Sequence, residues 1–202
     1  MAEAPENLKD LYIDELKDLW SANDQMQRTL TKIAPKASDK ALQNMLAKSV
    51  EGIAKHTDIL KELIVAQGEK AEKAHCKGME GLVAEAIKHT TEEAPENGPV
   101  LDAQIIAQYQ RMTHYGIAGF GTAASDAGTL GLKGDAKQLK VATKAIYGGD
   151  EYVTKLAETT VNIDAEDDWR PAWRRLETVA AGRLNTCQCR CAAAMSRHGG
   201  KR

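Results

Sequence analysis

The stretch Leu8–Ile33, LKDLYIDELKDLWSANDQMQRTLTKI, decides the fold. Its apolar residues fall at Leu8, Leu11, Tyr12, Leu16, Leu19, Met26, Leu30 and Ile33. At about 100° per residue these positions share one broad face, which predicts an amphipathic helix lying on a core. Pro35 follows it, and Ser38 or Asp39 can cap a second helix. That helix is predicted to reach about Gln67, with Leu42, Met45, Leu46, Val50, Ile53, Leu60, Leu63 and Ile64 on one side and Gly68 as its stop. The polar segment Glu69–His75 leads to a short helix near Met79–Thr91 and then to the turn-rich loop Glu92–Pro99. A third long helix starts near Val100, carries Ile105, Ile106, Tyr109, Met112, Ile117 and Phe120, and exits through Gly128, Gly131 and Gly134. A fourth runs from about Ala136 to Thr160, with Gly148-Gly149 as a point where it is expected to bend or break.

Four long helices, with a short one in the connection between the second and third, predict an all-α fold. The connectivity is that of a ferritin-like four-helix bundle with a long crossover. Gly116, Gly119 and Gly121 inside the third helix each cost roughly 0.5–1 kcal/mol against Ala, and are read as places of close helix–helix approach. Aromatics make up only 4% of the chain, which argues against an all-β fold. No apolar run approaches the roughly 18–20 residues needed to cross a membrane, so no membrane association is expected. The acidic start Met1–Glu6 has no apolar stretch and is not expected to be a signal peptide.

The chain has 202 residues and a net charge of −2, but that near-neutrality is a cancellation. Residues 1–168 hold 19 Lys+Arg against 28 Asp+Glu, a net −9; residues 169–202 hold 8 against Glu177 alone, a net +7. The basic residue changes from Lys to Arg at the same place, which marks a domain boundary near Asp168. The acidic body, 1–168, is not expected to bind nucleic acid. The tail, 169–202, has three readings. Cys187, Cys189 and Cys191 with His198 have the donor types for a soft metal. Its arginines suit nucleic acid or an acidic partner. The third reading, preferred here, is a disordered segment with the composition of out-of-frame or read-through translation of GC-rich DNA.

Three motifs in the body carry a resemblance: Asp14-Glu15-Leu16-Lys17-Asp18-Leu19, Cys76-Lys77-Gly78-Met79-Glu80-Gly81-Leu82, and His114-Tyr115-Gly116-Ile117-Ala118-Gly119-Phe120-Gly121-Thr122. In these the chain, over about residues 6–165, resembles the YciF/YciE-like ferritin-like proteins, bacterial proteins linked to stress responses. The resemblance implies a homodimeric ferritin-like bundle with a di-metal carboxylate centre inside it. Such a centre takes a Glu from each of two helices and a Glu-x-x-His pair from each of the other two.

The positions that match the family's ligands read differently here. Asn23 stands at the glutamate position of helix one. On helix two Glu51 points outward, Gly52 faces the core, and His56 remains as one imidazole. Thr113 and Gly116 replace glutamates around His114-Tyr115, and Gly149 and Val153 stand in the Glu-rich stretch of helix four. No carboxylate is left among them. Two divalent ions need several anionic donors, so no metal cofactor is expected. The alternative is a residual iron or manganese site at Glu15 and His56.

Other candidates have plainer readings. Glu72-Lys73-Ala74-His75 is a literal Glu-x-x-His in a polar connector and is read as a chance match. Cys76, the only cysteine of the body, is expected to be a buried thiol or helix-start residue in a reducing compartment, so a cytoplasmic location is expected. A Cys76/His75 nucleophilic pair fails because adjacent residues on a helix do not face each other. His114 is read as a packing or interface residue, and His89 as exposed near a helix end. There is no Gly-x-Ser-x-Gly and no Walker loop, and no catalytic residue is assigned. The sequence reading is a non-enzymatic, stress-associated homodimer that acts by structure or interaction; the alternative is an iron-binding or oxidoreductase-type protein.

Overall fold

The computed structural model describes residues 4–169. Among these, six α-helices and no strand are present: α1 Leu8–Ile33, α2 Lys40–Ala66, α3 Lys77–Ile87, α4 Pro99–Thr129, α5 Lys133–Leu156 and α6 Asn162–Trp169. Single π-helical turns follow α3 at Lys88–Glu92 and α5 at Ala157–Val161. None of these helices is long and apolar enough to cross a membrane. The bundle forms one compact unit that ends at Ile163, and a second unit begins at Asp164. The tail sites proposed on sequence, Cys187 to His198, lie outside the described residues.

The caps follow from local chemistry. Asn7 accepts from the backbone N–H of Lys9 and Asp10 to start α1, and Asp39 accepts from Leu42 N at 2.7 Å to start α2. Of the two expected caps, Asp39 takes that role. Ser38 Oγ accepts instead from Gly98 N at 2.9 Å across the molecule. Gly68 closes α2 with φ +85°, a backbone conformation that favours glycine.

Short connections pair α1 with α2 and α4 with α5 as antiparallel hairpins, and α1–α4 and α2–α5 contacts close the bundle. The crossover, residues 67–98, carries α3 across α1 and α4. Both ends of the crossover are tied down. At its far end the buried Asp102 accepts from Ser38 N at 2.7 Å and Asp39 N at 2.8 Å, joining the start of α4 to the start of α2.

The apolar core falls into two clusters along the bundle axis. One gathers Met26, Leu30, Leu46, Ile53, Met79, Ile105 and Met112; the other gathers Tyr12, Leu16, Leu19, Leu60, Phe120 and Leu139. Two sequence expectations are corrected. Leu11, placed on the inner face, is exposed, because it lies at the margin of the apolar stripe. The helix α5 runs through Gly148-Gly149 without a break, since tertiary packing of its flanks overrides the low propensity of the pair.

Among the helix-three glycines, close approach is found at Gly119. A Cβ there would lie 2.5 Å from Leu19 Cδ2 and 2.8 Å from Glu15 Oε1, so α1 and α4 meet over a bare backbone. A Cβ at Gly121 or Gly52 meets nothing within 4 Å. Gly119→Ala is therefore expected to destabilise by about 1–3 kcal/mol through overpacking against the fully buried Leu19. Gly52→Ala is expected to stabilise by about 0.5–1 kcal/mol through helix propensity. Urea unfolding of the two variants beside the unaltered chain checks both signs.

Candidate functional site

The break between the two core clusters is the place where the family-type ligand positions meet. Asn23 on α1 and Thr113 on α4 are buried, and Gly52 and His56 on α2, Gly116 on α4 and Gly149 on α5 are part-buried at the same level. All six line one cavity of about 700 Å³. Val153 is fully buried in the cluster beside it and does not line the wall. Its exposed lining residues are Asn44, Lys48 and Lys55 of α2 and Ala145, Gly148 and Tyr152 of α5, so the mouth opens between those helices.

Polar groups in this layer are few and neutral. Asn23 Nδ2 donates to Thr57 Oγ1 at 3.2 Å, and that hydroxyl donates to Ile53 O at 2.9 Å. Tyr109 Oη and Ser49 Oγ lie 3.0 Å apart. A Cβ at Gly149 would stand 2.9 Å from that Tyr109 hydroxyl, so glycine gives the phenol its place. The Thr113 hydroxyl is buried without a hydrogen-bond partner. The His56 ring packs 5.7 Å from Phe120, tilted by 59°, and burial, with Lys55 next to it, pushes its pKa down. One amide, one imidazole and hydroxyls do not supply the anionic donors that a pair of divalent ions requires. Among the described residues no three His, Cys, Asp or Glu side chains gather as a metal site.

No hydrogen bond or ion pair joins Glu15 to His56 among the described residues: Glu15 Oε1 lies beside Gly119 of α4, and the His56 ring packs on Phe120. Glu15 is surrounded by its own sign: burial, Asp18 and Asp126 push its pKa up. Asp126 Oδ2 is itself buried without a partner.

A second polar cluster went unforeseen, although its three central residues, Asp18, Cys76 and Tyr115, each lie in one of the three family motifs. Tyr115 Oη donates to Asp18 Oδ2 at 2.8 Å. With that proton committed, the Cys76 thiol at 3.0 Å donates to the phenol oxygen. Cys76 Sγ also accepts from Met79 N at 3.3 Å and caps α3, while Cys76 N donates to Ser21 Oγ at 3.0 Å and Cys76 O accepts from Gln25. A Cβ at Gly78 would lie 2.8 Å from the Tyr115 ring, which explains that glycine. Burial pushes the thiol pKa up, consistent with an inert, structural Cys76.

The remaining sequence candidates are on the surface. Glu72 and His75 lie outside any helix, and His75 Nε2 contacts Glu80 Oε2 at 2.9 Å. His89 contacts Glu85 at 3.0 Å on the π-turn. His114 is exposed and sits 3.1 Å from Asp150 Oδ2, whose other oxygen accepts from Gln110, so the pair clamps α4 to α5.

Two outcomes are expected from these networks. Tyr115→Phe leaves Cys76 and Asp18 without their shared partner, and is expected to lose about 1–2 kcal/mol and to speed alkylation of Cys76, read by peptide mass spectrometry. Glu15 has a folded pKa above its unfolded value, so its ionisation destabilises the fold as pH rises through the carboxylate range. Glu15→Gln is expected to raise Tm at neutral pH, with the gain shrinking as pH falls through that range in a thermal-melt series.

Comparison with known proteins places this geometry. Residues 7–166 match the family described as Domain of unknown function (DUF892). Protein YciF of Escherichia coli (strain K12) is 32% identical over 161 residues, which cover 79% of this chain and 96% of YciF. The crystal structure of that E. coli stress protein superposes with a TM-score of 0.72 at 31% identity, covering 78% of this chain and 99% of the other. YcfI of Rhodopseudomonas palustris, for which a structural role has been put forward, matches with a TM-score of 0.71 at 26% identity, covering 76% and 97%.

Proposed function

The chain belongs to the family of the domain of unknown function DUF892, and on that premise we propose that it is a stress-associated, non-enzymatic protein that acts by structure or interaction. In this reading it has lost the di-metal carboxylate centre of a ferritin-like bundle and works as a cytoplasmic homodimer. The observation that carries the reading is the mid-bundle layer. The ligand positions of all four long helices read Asn23, Gly52, His56, Thr113, Gly116, Gly149 and Val153, and none of these is a carboxylate. A single replacement would weaken a site; replacement on every helix removes it. The pattern is also energetically coherent, because buried carboxylates without a metal repel one another and each costs several kcal/mol to desolvate. The similarity to a protein described as a stress protein supports the stress association.

The rival reading, an iron- or manganese-binding oxidoreductase-type protein using Glu15 and His56, is separated by elemental analysis and by adding Fe(II) under air. The expected result is iron and manganese far below one ion per chain, and a Tm that ignores either ion. Stoichiometric iron with ferroxidase-type absorbance would replace this reading with its rival.

A further inference from the structure

The mid-bundle cavity has the attributes of a ligand site independently of its history. At about 700 Å³ it falls within the roughly 300–1,000 Å³ typical of small-molecule sites. Its walls include Met26, Met45 and Met112 with Ile53 and Ile146. Unbranched thioether side chains adapt to ligands of irregular outline. Deep in the wall, Thr113 is only 2% exposed, yet its hydroxyl has no hydrogen-bond partner. Buried hydroxyls are paired in the large majority of cases, so an occupant whose neutral polar group reached this one by a small shift of the surrounding side chains would pair it.

The mouth adds charge to that description. Lys48 and Lys55 are exposed, lie seven residues apart on α2, and both line the cavity. Two helical turns bring them onto one face. Like most lysines of the described residues, neither makes an ion pair, so both ammonium groups are open to an anion at the mouth. The interior layer, by contrast, offers an amide, an imidazole and hydroxyls but no charged partner, so a fully buried anion would be poorly accommodated. An anion at the mouth keeps its water and gains two cations.

We propose that this cavity binds an amphipathic monocarboxylate whose apolar body carries a neutral hydrogen-bonding group. The carboxylate rests at Lys48 and Lys55, the body lies among the methionines, and the neutral group pairs with Thr113 Oγ1. Gly52 lines the cavity and a Cβ there meets nothing within 4 Å, so a larger side chain at this position is the variant chosen to fill the space. The proposal goes beyond the functional reading above and requires only that the cavity be free of metal.

The test is calorimetric titration of the full chain with dodecanoate and with ω-hydroxydodecanoate, with metal content and sedimentation measured on the same sample. Saturable binding of one acid per cavity is expected, several-fold tighter for the hydroxylated acid. Thr113→Val should erase that preference, the double variant Lys48→Gln/Lys55→Gln should weaken both acids about tenfold, and Gly52→Leu should abolish binding with Tm retained. If Gly52→Leu does not fold, the surface lysine pair carries the test. An iron-free sample that binds neither acid, or binding indifferent to both the lysine pair and Gly52→Leu, overturns the proposal. A dimer whose second copy covers the mouth and excludes both acids overturns it as well. Stoichiometric iron would sink the functional reading instead, so the two failures are told apart.

Discussion

The hydroxyl of Tyr115 joins three segments that are far apart in the chain. It donates to Asp18 on α1 and accepts from Cys76 at the start of α3, while its own residue belongs to α4. A crossover of this length has a large conformational freedom to lose, and it must be fixed somewhere for the two hairpins to hold one relative position. The Cys76 backbone supplies the other half of the anchor through Ser21 and Gln25. The three stretches that carry the family resemblance are thus three sides of one contact. Gly78 is required because the ring of Tyr115 occupies the space its side chain would need.

That anchor lets the middle of the bundle be permissive. The end clusters are packed with Leu, Ile, Met and Phe120, and they hold the four long helices on either side of the mid-bundle layer. Glycines at 52, 116 and 149 and the neutral side chains of Asn23 and Thr113 line a cavity at this level. Interior packing elsewhere in a protein is normally close, so a void of this size at this one level follows from side chains being small here, with the backbone course of the bundle kept.

Much of this was legible in the chain. The period of apolar residues gave α1 its bounds, Leu8–Ile33, and the Asp39 cap and Gly68 stop framed α2 within a residue or so. The inward direction of Asn23 and Thr113 could be read residue by residue, because a 3.6-residue period assigns each position a direction, and both are buried. Other points were not legible. Leu11 lies on the margin of the stripe, where periodicity does not separate inside from outside. Gly148-Gly149 has poor propensity but sits in a helix held on both flanks.

The sequence by itself determined the helices, their order and the acidic body, because local periodicity and residue chemistry suffice for each. Only the tertiary structure decided that Cys76 and Asp18 meet at Tyr115, that Gly119 faces Leu19, and that the remaining small residues enclose a cavity with Lys48 and Lys55 at its mouth. Those facts depend on how far one helix is shifted and rotated against the next. That relation is fixed by packing between residues distant in the chain, and no local pattern encodes it.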